Sequence, residues 1–283
     1  MADTKLTYSD AVIMKALLSK DFSLIGGSFE DSELAGIKRC AFQGAGSTLT
    51  KVSLPSITQV PAGAFRGCSA LTSLTLPWAA LTNIGSDAFR DARMPVSSIN
   101  IPLVTSMGDG AFAACAGLTS ITMDALTSAS GSDSVYGTAQ SGVFKDCTSL
   151  VSASFNALRT TPQYFLRGCT ALTTISANAL YQVGSNTFQN CTSLTKIKLP
   201  AAVSNIGGNA FNGATNLTAI ILPNITAVPT TTSATFTGSA VASGTCYIYV
   251  PESLLATVKA ATNWSSYSDM IRACEDWPDV VNG

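Results

Sequence analysis

A chain of 283 residues, 46% hydrophobic and 12% charged with a formal net charge of −1, has the apolar material for a large core. It lacks the basic excess that nucleic acid or an anionic membrane surface requires. With no histidine at all, the Ser-His-Asp and Cys-His catalytic arrangements and the HExxH zinc motif are excluded.

At the start of the chain, Thr7 to Lys20 reads as an amphipathic helix. Ser9 or Asp10 is its N-cap, and Val12, Ile13, Ala16 and Leu17 share one face. Such a helix is expected to cover an apolar end of the fold that follows, or else to attach it to a partner. Asp3, Asp10 and Lys15 break the pattern of a secretory signal. Export is therefore expected to use another route, or a form from which the signal has gone. Asp21 to Cys40 reads as a degenerate first turn with a bend at Gly26-Gly27, and no run approaches the roughly 18 apolar residues of a membrane span.

From Phe42 onward the sequence repeats, most clearly as Cys191 to Gly213, CTSLTKIKLPAAVSNIGGNAFNG. Leu194, Ile197 and Leu199 make an L-x-x-L-x-L pattern whose last two members alternate with Lys196 and Lys198, the period of a strand with one buried face. Pro200 has no N–H to give a ladder and ends the strand. After a polar turn, Ile206-Gly207 and Ala210-Phe211 bring the chain back inward.

The positions equivalent to Phe211 are Phe42, Phe65, Phe89, Phe112, Phe144, Leu166, Phe188 and Phe236, spaced 22 to 25 residues apart with one step of 32. Leu166, not Phe165, fills its slot, because PQYFLRGC aligns with PAGAFRGC. Nine strands are predicted, centred on Val52, Leu74, Ile99, Ile121, Ala153, Ile175, Ile197, Ile220 and Ile248. One unit buries about five large apolar side chains at roughly 1.5–3 kcal/mol each. That is less than the backbone entropy of ordering it, about 1–2 kcal/mol per residue. The units must stack into a solenoid to fold at all.

The step of 32 falls on an insertion, Asp124 to Gly142, a surface loop in such an array. Asp124 and Asp133 within it make only a weak calcium pattern. Past Val250-Pro251 the repeat ends: ESLLATVKAATNW reads as a helix stopping at Asn263, and SSYSDMIRAC as a second short helix from Ser265. Trp264, Tyr267, Met270 and Ile271 suit this segment to plugging the open end. The expected organisation is residues 1–40 as cap or attachment, 41–250 as solenoid and 251–283 as a helical cap.

Of the eight cysteines, Cys68, Cys115, Cys147, Cys169 and Cys191 each lie three residues after an anchor, where Ala45, Ala92 and Ala214 stand in other units. A slot that takes Cys or Ala is small and buried, so these are expected to be unpaired thiols. Cys40, Cys246 and Cys274 fall outside the column and are left open. With no CxxC, neither a metal nor any other cofactor is expected.

The repeated L-x-x-L-x-L-P, then I-G, then A-F-x-x-C resembles the bacterial BspA-like, or Treponema-type, leucine-rich repeat over most of the chain. That resemblance implies a curved, β-dominated solenoid with a parallel strand ladder. It also implies a secreted or surface-exposed protein that adheres to other molecules, and it carries over no catalytic residues. The tail resembles those that end many such proteins.

Chemistry points the same way. There is no GxxxxGK[ST] and no strand-linked GxGxxG, and the strand faces carry no paired carboxylates, so the chain is not expected to be an enzyme. The solvent-facing positions of the strands are mostly Ser and Thr, then Lys196 and Lys198, Ala219 and Ile221, and Tyr247 and Tyr249. Lysines beside aromatic and apolar groups suit recognition. Lys196, Lys198, Ile221, Tyr247 and Tyr249 are thus the candidate ligand-binding residues, with burial of the tyrosines under the tail as the competing reading. The expected function is a noncatalytic adhesion scaffold on a bacterial surface or phage particle, its partner a protein or carbohydrate and not nucleic acid. The alternative is an assembly component of a larger particle. Ligand and oligomeric state are not legible.

Overall fold

The computed structural model describes residues 27–30, 36–45, 47–129 and 142–282. The helix expected at Thr7 to Lys20 and most of the Asp124 to Gly142 insertion, Asp133 included, lie outside the described residues.

All nine expected strands form: Leu49–Ser53, Ser73–Thr75, Ser98–Asn100, Ser120–Thr122, Ser152–Ser154, Thr174–Ser176, Lys196–Lys198, Ala219–Ile221 and Tyr247–Val250. They pair in parallel, centre against centre, as in Ile121↔Ala153↔Ile175 and Ile197↔Ile220↔Ile248. Two further strands extend the stack. Gly27–Glu30 pairs with Leu49–Ser53, within the stretch read as a degenerate turn. Ile271–Ala273 pairs with Tyr247–Val250, where the sequence reads as helix. The short helix at Ser265–Met270 does form, but it stops where Ile271 and Ala273 turn inward and bury themselves on the last repeat.

This principal ladder is broken twice, between Ser73–Thr75 and Ser98–Asn100 and between Thr174–Ser176 and Lys196–Lys198. A second ladder on another side of each turn keeps the repeats joined. It includes Gln59–Val60 with Asn83–Ile84, and Gln182–Val183 with Asn205–Ile206 and Thr230–Thr231.

The anchors form an aromatic stack through the core. Ring centroids lie 5.0 Å apart for Phe42–Phe65, 5.3 Å for Phe65–Phe89, 5.0 Å for Phe89–Phe112 and 5.5 Å for Phe112–Phe144, all nearly parallel. Leu166 interrupts the stack, which resumes at Phe188–Phe211 and Phe211–Phe236. Backbone bonds verify the register: from Phe42 to Phe188 each anchor N–H donates to the residue before the next anchor, as Phe144 does to Phe165 and Leu166 to Thr187. The turn around the anchors from Phe65 to Phe211 has left-handed backbone two residues to either side, which Asp87 and Asp91 or Asn186 and Asn190 supply with a short polar side chain that tolerates it.

Threonine has a structural use here. Thr72, Thr119, Thr173 and Thr218 donate both their N–H and their hydroxyl to one carbonyl of the preceding repeat, on Thr50, Ser97, Val151 and Thr195. Much of the surface hydroxyl content thus knits the turns together instead of merely solvating a sheet.

The column cysteines are buried, and none of the eight cysteines forms a disulfide. Each column thiol donates to an anchor carbonyl one repeat back, Cys115 to Phe89 at 2.9 Å and Cys147 to Phe112 at 2.9 Å. Burial pushes Cys68, Cys147 and Cys191 up to about 12 from 9.0. A raised folded pKa favours the protonated thiol, so this stabilisation is whole below pH 9.0 and is lost as pH rises toward about 12. Two results are expected: slow labelling of these thiols by a maleimide at pH 7, and unfolding, with their release, on alkaline titration. Rapid labelling of the native protein at neutral pH would contradict the burial.

Candidate binding face

The outward positions of the seven strands from Leu49–Ser53 to Lys196–Lys198 are exposed or half-buried, and all but the lysines carry a hydroxyl or an amide. At the next strand the character changes. Ala219 and Ile221 are buried, as is Tyr249, because the tail folds back over this face and packs Cys274, Val280 and Val281 on them. The same desolvation pushes the Tyr249 phenol above its usual range.

Two of the five candidate residues are therefore corrected. Ile221 and Tyr249 are the seat of the C-terminal segment and not open surface. Tyr247 is half-buried beneath the Arg272 guanidinium, 4.6 Å from its ring centroid. Tyr249 meets Trp277 edge-on at 6.5 Å. The register is as expected, Lys196↔Ala219↔Tyr247 and Lys198↔Ile221↔Tyr249, so all five do project to one side. The fold brings them together and then covers the apolar part. The sequence held a signal for this, since a hydroxyl face that turns apolar at its last two strands matches a tail carrying Trp277, Val280 and Val281.

The far end of the solenoid is closed by the same segment. Helix Glu252–Ala260 buries Val258, and Trp264 seats its ring 5.4 Å from Phe236 with its indole N–H donating to the Pro229 carbonyl.

The lysines remain accessible, Lys198 exposed and Lys196 partly so. Lys198 Nζ donates to the Val281 carbonyl at 3.3 Å, tying the tail across the face. Both border the second break in the ladder. There the face opens into two adjoining hollows of about 370 and 210 Å³ that share Ile175 and Lys198. Ile175 is half-buried although the centres of the other strands are buried.

Sequence reading missed a polar chain that runs to this opening. The position three residues after each strand centre is Pro55, Pro77 and Pro102, then Asp124, Asn156 and Asn178, then Pro200, Pro223 and Pro251. In the central repeats, Asp124 Oδ1 accepts from the Ser154 hydroxyl at 2.5 Å and the Asn156 N–H at 3.2 Å. Asn156 Oδ1 accepts likewise from Ser176 at 2.7 Å and the Asn178 N–H at 3.4 Å. The Ser154 bond holds the Asp124 carboxyl below its usual range. Asp124 is thus engaged structurally, and among the described residues no acidic or cysteine cluster fit for a metal occurs. The chain stops at Asn178 for a chemical reason: Pro200 has no N–H to donate, and Lys198, in the place of the serines, is turned to Val281.

A family model described as the BspA type leucine rich repeat region matches residues 35–140 and 136–242, in six copies. Among solved structures, a leucine-rich repeat protein from Bacteroides ovatus is similar with a TM-score of 0.59 and 23% identity, over 80% of this chain and 60% of that one. The T. pallidum leucine rich repeat protein gives a TM-score of 0.48 and 23% identity, over 60% of this chain and 78% of that one. A leucine rich cell surface protein from Faecalibacterium prausnitzii gives 0.40 and 22%, over 67% and 63%. The chain spans about 60% of the length of the Bacteroides protein, and the likeness is one of fold. No curated protein is recognisably similar in sequence. Among the described residues no helix is long and apolar enough to cross a membrane. The family match covers the same stretch as the strands, the anchor stack and the thiol column, and the chain belongs to the BspA-type leucine-rich repeat family.

Proposed function

We propose that the chain is a noncatalytic binding scaffold for adhesion, displayed on a bacterial surface or a phage particle, which recognises carbohydrate or protein through its strand-bearing face. The observation that carries this reading is the open face of seven strands, where hydroxyls, an amide and three lysines present hydrogen-bonding groups on a rigid ladder. A structural turn has no need of so continuous an uncovered polar surface, whereas a ligand gains from groups held in place before it arrives. Residues 251–283 serve as the cap that closes the end and fixes where the open face begins, residues 1–40 as the opposite cap or the attachment point, and residues 41–250 as the working solenoid.

The test is attachment of the labelled full chain to printed arrays of bacterial and host glycans and proteins. Asn100→Arg places a bulky charge on the strand face, and Gln59→Arg places the same charge on the second ladder; both positions are exposed. Binding is expected to fall about tenfold or more, some 1.4 kcal/mol, with Asn100→Arg and to stay unchanged with Gln59→Arg. Equal loss from both, or full binding by Asn100→Arg, would place recognition elsewhere. No binding to any array, with recovery of the chain only in assembled particles, would favour the assembly role.

A further inference from the structure

We propose that the opening between Thr174–Ser176 and Lys196–Lys198 is a subsite for one carboxylated sugar residue of a glycan, a reading that rests on the adhesion function above. Three properties of the opening lead there.

The first is its shape. Where neighbouring strands pair, a residue two before the strand centre donates its N–H to the preceding repeat, as Thr173 does to Val151 and Thr218 to Thr195. A residue two after the centre donates to the following repeat, as Leu199 does to Ile221. At this step, among the described residues, the corresponding bonds from Thr195 to Thr173 and from Ala177 to Lys198 are not made. The gap cannot widen to admit a peptide strand, which needs a further 4.8 Å or so of spacing. The same two repeats are clamped on their other sides by Gln182–Val183 against Asn205–Ile206 and by the anchor-turn bonds of Leu166 to Thr187 and Phe188 to Ala210. Hollows of about 370 and 210 Å³ on a fixed frame suit a compact ring.

The second is its chemistry. The polar lining includes Thr174, Ser176, Asn178, Asn224, Asn282 of the tail and the two lysines, with no carboxylate among the lining residues. Hydroxyls and carboxamides both donate and accept, as the hydroxyls of a sugar do. Asn178 brings the open end of the Asp124–Asn156–Asn178 chain, its carboxamide having no partner among the described residues. Half-buried Ile175, with Pro200 and Pro223, offers an apolar floor for the C–H face of a ring.

The third is its charge. Lys196 and Lys198 are the only charged residues of the lining, and the two stand on one edge of the opening. A single carboxylate answers that pair. A polyanion does not, since the chain as a whole carries a formal charge of −1.

The proposal is tested by saturation-transfer NMR titration of the full chain with methyl galacturonoside and with sialyllactose, each bearing one carboxylate, which separate a hexuronate from a sialic acid source. The neutral analogues are methyl galactoside and lactose. At least one acidic probe is expected to bind about tenfold or more tightly than its neutral analogue. Lys196→Gln leaves the tie from Lys198 to the tail intact and is expected to erase that preference. Asn178→Asp, which adds a like charge to the opening, is expected to abolish binding of the acidic probe with the thermal transition unmoved. Equal binding of acidic and neutral probes, or an acidic preference that survives both substitutions, overturns the subsite. If arrays show attachment that Asn100→Arg destroys while neither acidic probe binds, the subsite is wrong and the adhesion reading stands. If nothing binds in either experiment, both fall.

Discussion

Phe112→Ala is expected to lower stability by about 3–5 kcal/mol, the range for truncating a buried aromatic side chain. It should cost more than the same change at Phe188. Phe112 is fully buried, with Phe89 at 5.0 Å on one side and Phe144 at 5.5 Å on the other, and all three rings are nearly parallel. Phe188 stacks only on Phe211, at 5.6 Å, because Leu166 stands in the slot before it. The additional stacked pair is worth about 0.5–1.5 kcal/mol beyond the area buried. A solenoid repeat touches only its neighbours, so the damage should be local. Cys115 and Cys147, the thiols of the Phe112 repeat and of the repeat whose thiol bonds to the Phe112 carbonyl, should become reactive to maleimide before Cys191 does. Chemical denaturation with thiol labelling mapped by mass spectrometry reads both effects. A near-neutral Phe112→Ala, or equal costs at the two sites, would show that the stack does not bear on stability.

The parts legible in the sequence are those that each repeat specifies for itself. Leu194, Ile197 and Leu199 report a buried strand face by period, Pro200 reports its end, and the Cys-or-Ala slot after each anchor reports a small buried site, all from within one turn. Contacts between remote segments were harder to read. Ile271–Ala273 reads as helix because three residues of IRA fit either period, and only the unpaired edge of Tyr247–Val250 makes them a strand. Ile221 and Tyr249 were legible as apolar and outward. Their cover lies some 25 to 60 residues further on, at Cys274 and Val281, and period alone cannot pair them. The break beside Lys196 was invisible. The step from Ile175 to Ile197 has the usual length of 22, and nothing in the residue pattern reports a missing backbone bond. The exchange of Pro for Asp or Asn after the strands of three central repeats was readable as a column, and it leads to the opening.

The glycine of the I-G pair is expected to tolerate no side chain. At Gly108 a Cβ would overlap the backbone nitrogen of Ser86 and lie 2.6 Å from the carbonyl carbon of Gly85. Its backbone is not in the left-handed region, so the demand for glycine comes from close approach alone. Gly108 N–H donates to the Ile84 carbonyl at 3.0 Å, and Ile84 bridges Met107. The turns are therefore drawn together at this point and cannot separate without losing ladder bonds. Gly207 repeats the arrangement against Gly184 and Ser185. Overfilling a packed interior costs about 1–3 kcal/mol when side chains can shift. Here the obstacle is the main chain of the preceding repeat, so Gly108→Ala should reach the top of that range, about 3 kcal/mol. Gly36 provides the control, since a Cβ there meets nothing within 4 Å, and Gly36→Ala should stay within about 0.5 kcal/mol of the parent. The pair separates sterics from the general effect of adding a methyl group, which would act alike at both sites. Thermal unfolding of the two variants side by side decides the matter: equal transitions would mean that the repeats yield at the turn, and that their spacing is set by the strand ladder instead.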